Sequence, residues 1–444
     1  MMKIPKPYNK SQLSWALFDW ANQPFFTVVT TFIFAPYFVN QVVNNAVDGQ
    51  AMWGYINAIV AFSIALCSPI FGAMADVRGP RKPWVAILSV MCAVASCGLW
   101  YAQPNGNILI PLISFGIATF AIEIAVIFNH AMLPTIVEEK RLGRLSGFSW
   151  GVGYIGGVVA LLLLLILFIW ADKPLFGLNK DLYEPERISG PLSALWLIIF
   201  TIPMLLFTPD VNKSNEKIAS LDTIKLGFSN LKNTLTDVKA YKNIWTFLLA
   251  RAFYNDGVLA VISFSGIYAM ATFGWDTTSL GIFAILINII AFFGCLIGGA
   301  IDDKFGSKTA IRVSVWALFI ALFGIVSITK NSALFGLIDF QASNNAAFLS
   351  TPAQIWFMGF GLILGMGFGP AQSASRTMMV RITPKEKITQ FFGLYAFSGK
   401  ATGFLAPLAI GIVTASTGSI RMGMSVILVF FFAGLAMLHL VKEK

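Results

Sequence analysis

Residues Gly72–Lys82 read GAMADVRGPRK, and Gly299–Lys308 read GAIDDKFGSK. Each copy sets a glycine, an aspartate and a second glycine at one spacing and then basic side chains. These are Gly72, Asp76, Gly79 and Arg81 in the first and Gly299, Asp303, Gly306 and Lys308 in the second. Each sits at the junction of two apolar runs. A glycine on a helix lets a neighbour approach closely, and one in the turn admits a tight reversal. The aspartate then stands where it can meet the positive N-terminal end of another helix or nearby arginines, a contact suited to a conformational latch.

A second pair of segments repeats as well, GFSWGVGYIGG from Gly147 and GLYAFSGKATG from Gly393. Working outward, apolar segments of membrane-spanning length fall at 14–40, 52–75, 83–102, 108–133, 146–171 and 191–208. Six more fall at 243–272, 278–301, 309–329, 354–380, 388–416 and 419–441. The fold class expected is an all-α polytopic membrane protein, twelve transmembrane helices in two six-helix pseudo-repeats. The domains are 1–209, a linker over 210–242, and 243–444. Two similarly oriented halves are the plan of a carrier whose site lies between them.

Composition agrees. The 444 residues are 57% hydrophobic and only 12% charged, too little charge to solvate a globular surface of this size. The net charge of +10 is scattered in small groups between apolar runs, which argues topology and excludes a nucleic-acid patch. Lys3, Lys6, Lys10, Arg78, Arg81, Lys82, Lys140, Arg141, Arg144, Lys304, Lys308, Arg312, Arg381, Lys385, Lys387, Lys442 and Lys444 fall on one side. The other side holds only Lys173, Lys180, Arg187, Lys330 and Arg421. Cytoplasmic loops retain lysine and arginine, so both termini are expected in the cytoplasm. The four cysteines lie inside apolar segments as small hydrophobes. In the linker, Ile224, Phe228, Leu231, Leu235 and Val238 form one helical stripe flanked by Lys225, Lys232 and Lys239. This reads as an amphipathic helix on the membrane surface or, alternatively, a solvated linker helix.

The paired loops resemble the Gly-x-x-x-Asp-x-x-Gly signature of major facilitators. The first copy departs from it at Val77 and Pro80, so Arg78, Arg81 and Lys82 are expected to make its basic contacts in shifted form. WALFDWANQPF at Trp15–Phe25, FLLARAFYNDGV at Phe247–Val258 and FFGLYAFSGKATGFLAP at Phe391–Pro407 resemble the vacuolar-effluxer-like branch of that superfamily. Fungal members of the branch are associated with amino-acid export from the vacuole. This chain lacks their long loops, which implies a multi-pass protein of a bacterial plasma membrane.

An ionisable side chain within the bilayer costs about 2.5–3.5 kcal/mol on insertion scales, so each one present asks for a reason. Glu123, Arg251, Asp256 and Lys400 fall in the middle third of their helices and Asp19 lies shallower. By the resemblance, helices one, four, seven and ten line the transport path. We expect one or more of Asp19, Glu123 and Asp256 to take up a proton or sodium ion, with Arg251 and Lys400 as switching partners. The alternative is a permanently paired structural network. Asn22, Gln23, Asn255, Asn288, Gln372 and Ser375 are candidate solute contacts or, taken singly, interhelical hydrogen-bond donors. The partners expected are a small organic solute, an amino acid or similar zwitterion being favoured, with protons or sodium and membrane lipids, in a monomer without a cofactor. A lipid or amphiphile transporter on the same fold is the alternative function.

Two enzyme-like patterns, Gly147–Gly151 as a nucleophile elbow and Gly151–Gly156 as a dinucleotide fingerprint, lack the strand each requires. No His or Cys cluster has metal-ligand spacing. The chain is read as no enzyme.

Overall fold

The computed structural model describes residues 7–43, 46–211, 229, 231–234, 236, 237, 239–275, 277–340 and 348–443. Lys3, Lys6 and Lys444 lie outside the described residues, as do Ile224, Lys225, Phe228, Leu235 and Val238 of the expected amphipathic helix. Among the described residues twelve helical spans are long and apolar enough to cross a membrane. They are α1 Lys10–Val42, α2 Asp48–Arg78, α3 Lys82–Tyr101, α4 Leu109–Ile136, α5 Glu139–Ile169, α6 Glu184–Phe207, α7 Lys242–Phe273, α8 Thr278–Phe305, α9 Ser307–Ser327, α10 Pro352–Ile382, α11 Lys385–Thr417 and α12 Ile420–Leu440. Their outer faces are apolar: Tyr55 and Phe62 are each 70% exposed and Val94 69%. Water would not tolerate that surface; hydrocarbon does. A two-stranded antiparallel hairpin, β1 Ser332–Ala333 with β2 Ile338–Asp339, joins α9 to α10.

Local sequence sets the ends. Asn9 accepts the Gln12 amide (2.9 Å) while the Gln12 side chain accepts the Asn9 amide (3.1 Å), a reciprocal cap that starts α1. Thr351 and Ser419 cap α10 and α12 in the simpler way. Two spans are irregular. Pro24 interrupts α1, and Phe25–Phe32 continues it as a π-helix. α11 comprises the helices Ile388–Ala401 and Leu405–Thr417, and in the break between them the Leu405 amide turns back to the Thr402 carbonyl at 2.8 Å. Irregular backbone inside a membrane span commonly marks a functional position.

By contact the chain divides into two compact units. The first is Met1–Arg141, Val152–Asn233 and Pro384–Phe397; the second is Leu142–Gly151, Thr234–Thr383 and Ser398–Lys444. Each therefore consists mostly of one half of the sequence plus a short stretch of the other, the beginning of α11 in the first unit and of α5 in the second.

In the first unit α3 packs on α4 and α1 on α6, where Trp20 and Trp196 stack at 5.5 Å and the Trp196 indole donates to the Trp20 carbonyl at 3.1 Å. In the second, α10 packs against both α8 and α9, and α7 against α12. The α10 glycines serve that packing: a β-carbon on Gly361 would meet the Phe283 ring at 2.5 Å, and one on Gly365 the Ile287 carbonyl at 2.9 Å.

Candidate functional site

The Trp15–Phe25 stretch turns Trp15, Phe18, Asp19, Asn22 and Phe25 inward on α1. The Trp15 indole donates to the Asn129 carbonyl of α4 at 2.9 Å. On α5, a β-carbon at Gly153 would lie 3.2 Å from the Asp19 carbonyl, and one at Gly157 3.0 Å from Gln23 Cγ. These glycines admit the charged turn of α1 rather than a ligand. Asp19 is 8% exposed. Asn22 spends its amide on the Phe18 carbonyl of its own helix (2.8 Å), and Gln23 is half-buried. Glu123 is half-buried on α4 between the fully buried Ile122 and Ile124.

The second unit brings together more of the expected residues. Arg251, Asn255 and Asp256 on α7 are 7%, 5% and 2% exposed. Arg251 Nη1 donates to Ser398 Oγ of α11 at 3.3 Å, and Thr402 Oγ1 lies 3.1 Å from Asp256 Oδ1. Ser398 and Thr402 are one turn apart and Arg251 and Asp256 a little more than one, so α7 and α11 are joined by two polar rungs at the break in α11. Gly399 makes the approach possible: a β-carbon there would stand 2.8 Å from Arg251 Nη1 and 3.4 Å from Asn255 Nδ2. α10 contributes Gln372, whose amide donates to Asn255 Oδ1 at 3.0 Å, and Ser375, 2.7 Å from the Tyr254 hydroxyl. Lys400 is half-buried on the same turn of α11. Asn288 donates to the Ala284 carbonyl of its own helix at 2.8 Å, a bond within α8 and not between helices.

Ser398 and Thr402 were not singled out from sequence. Their signal was present: serine, glycine and threonine crowd into Ser398–Gly403, inside an otherwise apolar span. Arg376 was also overlooked. It is completely buried on α10, with Nε donating to Ser146 Oγ at 2.9 Å and Nη2 to the Ser146 carbonyl at 2.8 Å. Arg187, counted among loop cations, is 3% exposed and donates to the Trp100 carbonyl at 2.7 Å.

The paired loop motifs are a second polar site in each unit. Asp76 accepts the amides of Thr389 (3.1 Å) and Gln390 (2.8 Å) at the start of α11; Asp303 accepts those of Gly143 (2.8 Å) and Arg144 (3.3 Å) at the start of α5. Gly72 lies against the Thr389 backbone and Gly299 against the Gly143 carbonyl. Gly79 and Gly306 hold φ of 92° and 86°, conformations that favour glycine. Arg81 is 3.7 Å from Asp76 and donates to Thr389 Oγ1 at 2.9 Å. Burial lowers the Arg81 pKa from its ordinary value, and the charges of Asp76 and Asp210 act against that.

The counterpart of Lys308 is Lys82, one residue beyond Arg81. Lys308 Nζ donates to the His439 and Val441 carbonyls at the end of α12, and Lys82 Nζ to Leu205 and Thr208 at the end of α6. Carboxylates absent from the motif complete both turns: Asp210 accepts the Arg81 and Lys82 amides, Glu443 those of Ser307 and Lys308. Pro80, the extra residue of the first turn, accounts for the one-position shift.

The enzyme-like glycine patterns both lie within the helix Leu142–Leu164. No group of three or more His, Cys, Asp or Glu suited to a metal occurs among the described residues.

A sequence model of the family described as vacuole effluxer Atg22 like matches residues 37–444. The chain belongs to that family. Among curated relatives of this effluxer-family chain, the uncharacterized MFS-type transporter YxiO of Bacillus subtilis is 26% identical over 99% of this chain and 96% of its own length. Autophagy-related protein 22-1 of Neosartorya fischeri is 23% identical over 71% of this chain but only 51% of its own length. Solved structures agree on the fold. The proton:xylose symporter XylE bound to 6-bromo-6-deoxy-D-glucose aligns with a TM-score of 0.70 at 12% identity, over 98% of this chain and 96% of that one. A bacterial homologue of the iron transporter ferroportin, in an outward-facing state with soaked iron, aligns at 0.67 and 15% identity, over 98% and 99%. At these identities the likeness is one of fold. The effluxer-family chain is thus a multi-pass membrane protein of major facilitator fold and a transporter of that type.

Proposed function

We propose that this transporter moves a small organic solute, an amino acid or similar zwitterion, across a bacterial plasma membrane by alternating access, driven by protons. The observation that carries the reading is the buried Arg251–Asn255–Asp256 turn of α7, joined to Ser398 and Thr402 at the break in α11 and to Gln372 of α10. A zwitterion presents a carboxylate and an ammonium a few ångströms apart. Arg251 and Lys400 supply charge for the first, Asp256 for the second. Asp19 and Glu123 are the candidate acids of the first unit. The relatives lend support: a proton:xylose symporter shares the fold, and autophagy-related fungal proteins share the family. The glycine–aspartate turns, with Gly72, Asp76, Gly79 and Arg81 in one and Asp303, Gly306 and Lys308 in the other, are proposed as latches that hold helix ends in one state and release them in another. Both termini are proposed to be cytoplasmic on the loop-charge asymmetry.

The test is reconstitution of the purified chain in liposomes and measurement of amino-acid uptake under an imposed pH gradient, with a sodium gradient in parallel. Accumulation that follows the pH gradient and is lost in Asp256→Asn, Asp19→Asn or Glu123→Gln supports the reading. Coupling unchanged in every variant sinks it. Transfer of a fluorescent lipid between leaflets, without amino-acid uptake, would assign the chain to lipid transport instead.

A further inference from the structure

Between α9 and α12 lies a cleft of about 230 Å³ whose lining includes Lys308, Arg312 and Trp316 on one side and Phe432, Leu435 and His439 on the other. Lys308, Arg312 and Trp316 stand at steps of four along α9, and Phe432, Leu435 and His439 at steps of three and four along α12, so each set is a single helix face. Both faces carry the same gradient. Their polar ends meet where Lys308 Nζ donates to the His439 carbonyl at 2.9 Å, and their other ends are the exposed rings of Trp316 and Phe432.

Arg312 is the group in this cleft that lacks a counterion. It is exposed, and among the described residues it has neither an ion-pair nor a hydrogen-bond partner. α9 has 21 residues, about 30 Å of helix, which scarcely exceeds the hydrocarbon thickness of a bilayer. Arg312 stands five residues past its first, about 7.5 Å along the axis, and so faces the boundary between hydrocarbon and headgroups. No Asp or Glu among the described residues lines the cleft. Glu443, which accepts the Ser307 and Lys308 amides beside it, is already paired with Arg381 at 2.8 Å. Nor does the turn require a cation at this position. Lys82 is the counterpart of Lys308, and four and eight residues beyond Lys82 the first half has Ala86 and Val90. The turn is built twice, whereas Arg312 and Trp316 occur once.

We propose that this cleft binds an anionic glycerophospholipid, its phosphodiester held by Arg312 and the His439 ring and an acyl chain lying past Trp316 and Phe432. A phosphodiester offers its oxygens only as acceptors. They match a guanidinium fork, an imidazole N–H and the third proton of Lys308, whose other two go to the His439 and Val441 carbonyls. The ammonium of a zwitterionic headgroup would find no carboxylate in the lining, so charge complementarity selects a lipid of net negative charge, as basic pockets between membrane helices do. The lipid is a bound partner and not the cargo, and the inference does not depend on which solute the transporter moves.

The experiment is native mass spectrometry of the purified full-length protein, delipidated and then titrated with phosphatidylglycerol or with phosphatidylethanolamine of the same chains. One phosphatidylglycerol should bind ahead of any phosphatidylethanolamine. Arg312→Gln should weaken that first lipid about fivefold, the worth of one basic side chain near an anionic surface, and Arg312→Lys should keep part of the affinity. Lys304→Gln removes an exposed cation at the end of α8 that does not line the cleft, and should leave binding unchanged. His439→Phe keeps a ring and removes its N–H, so it should also weaken phosphatidylglycerol, which keeps the test decisive where Arg312→Gln does not fold. Equal affinity for the two lipids overturns the proposal, since the cleft then selects no headgroup. An equal loss in Lys304→Gln overturns it as well, because the attraction is then diffuse surface charge. Glycerol phosphate that competes as well as the lipid itself would make this a site for a soluble phosphate, and the lipid assignment would fall.

Discussion

The turn between α2 and α3 and the turn between α8 and α9 solve the same problem with different charges. Both press a glycine against a foreign helix, cap that helix with an aspartate, and tie a lysine to the last carbonyls of a further helix. Beyond this frame they diverge. The first turn supplies its own cation, Arg81, whose side chain is 6% exposed beside Asp76. The second draws on Arg144, from the capped helix itself, whose side chain is 39% exposed. The second also carries a buried network without a counterpart at the first among the described residues. Arg381 lies 2.8 Å from both Asp302 and Glu443, and Asp302 accepts from Ser307 and Thr377. The lesson is that helix-end capping is the invariant part of the motif, whereas the ion pairs are local solutions to whatever charge burial leaves unpaired.

The largest asymmetry should come from that network. Replacing Arg381 by Met strands Asp302, 1% exposed, without its cation, and breaking such a buried pair costs about 3–5 kcal/mol. The thermal midpoint in detergent should fall well below that of any single change in the first turn. Adding Asp302→Asn should recover most of the loss, because the stranded charge goes with it. If the double variant is no better than the single one, the network acts by shape rather than by charge.

Next come the glycines. A β-carbon at Gly72 would collide with the Thr389 backbone and lie 2.9 Å from Gln390 Cα; one at Gly299 would lie 2.6 Å from the Gly143 carbonyl. Overpacking against backbone costs about 1–3 kcal/mol. Gly72→Ala and Gly299→Ala should therefore destabilise to a similar degree, each loosening exchange at the helix it touches, the start of α11 and of α5 respectively. Unequal losses would mean that the two close approaches are not equivalent.

This frame was partly legible in the sequence. Gly72, Asp76, Gly79 and their counterparts could be read because one spacing recurs twice, and Gly147 matched Gly393 for the same reason. The roles of Lys82, Asp210 and Glu443 could not be. They depend on a one-residue offset at Pro80 and on which helix ends come together in three dimensions, which no local pattern records. The same holds in the polar cluster. Arg251, Asn255 and Asp256 stood out as charge and amide in an apolar helix, and Gln372 and Ser375 as polar groups on α10. Ser398 and Thr402 were missed because hydroxyls are common in membrane helices, and only the break in α11 distinguishes them. Arg376 escaped notice near the end of α10, where an arginine reads as a headgroup contact until its burial against Ser146 is seen.

Removing one capping charge should have a smaller effect. Asp76→Asn keeps a carboxamide oxygen for one α11 amide but loses the charge facing the helix end, an effect of about 0.3–2 kcal/mol. It also leaves the buried Arg81 with Asp210 as its one remaining neighbouring carboxylate among the described residues, which places this variant toward the top of that range. Asp303→Asn leaves behind only the partly exposed Arg144, which water can solvate, so it should fall toward the bottom. Denaturant or thermal unfolding of both proteins side by side checks the order, and its reversal would refute the account of burial given for the two cations.

The smallest effect should be that of Arg144→Ala. Arg144 Nε is 3.4 Å from Asp303 Oδ2 on a side chain open to solvent, and exposed ion pairs contribute about 0–1 kcal/mol. Asp303 would still hold the Gly143 amide at 2.8 Å, so the cap survives the loss of its cation. Arg81→Ala should cost more, since it removes both the neighbour of Asp76 and the bond to Thr389 Oγ1. Salt supplies an independent check. Raising ionic strength screens an exposed pair and barely touches a buried one. The gap between wild type and Arg144→Ala should therefore close in high salt, while that between wild type and Arg81→Ala persists. If both gaps close together, Arg81 is solvated as Arg144 is, and the two turns differ in sequence without differing in physics.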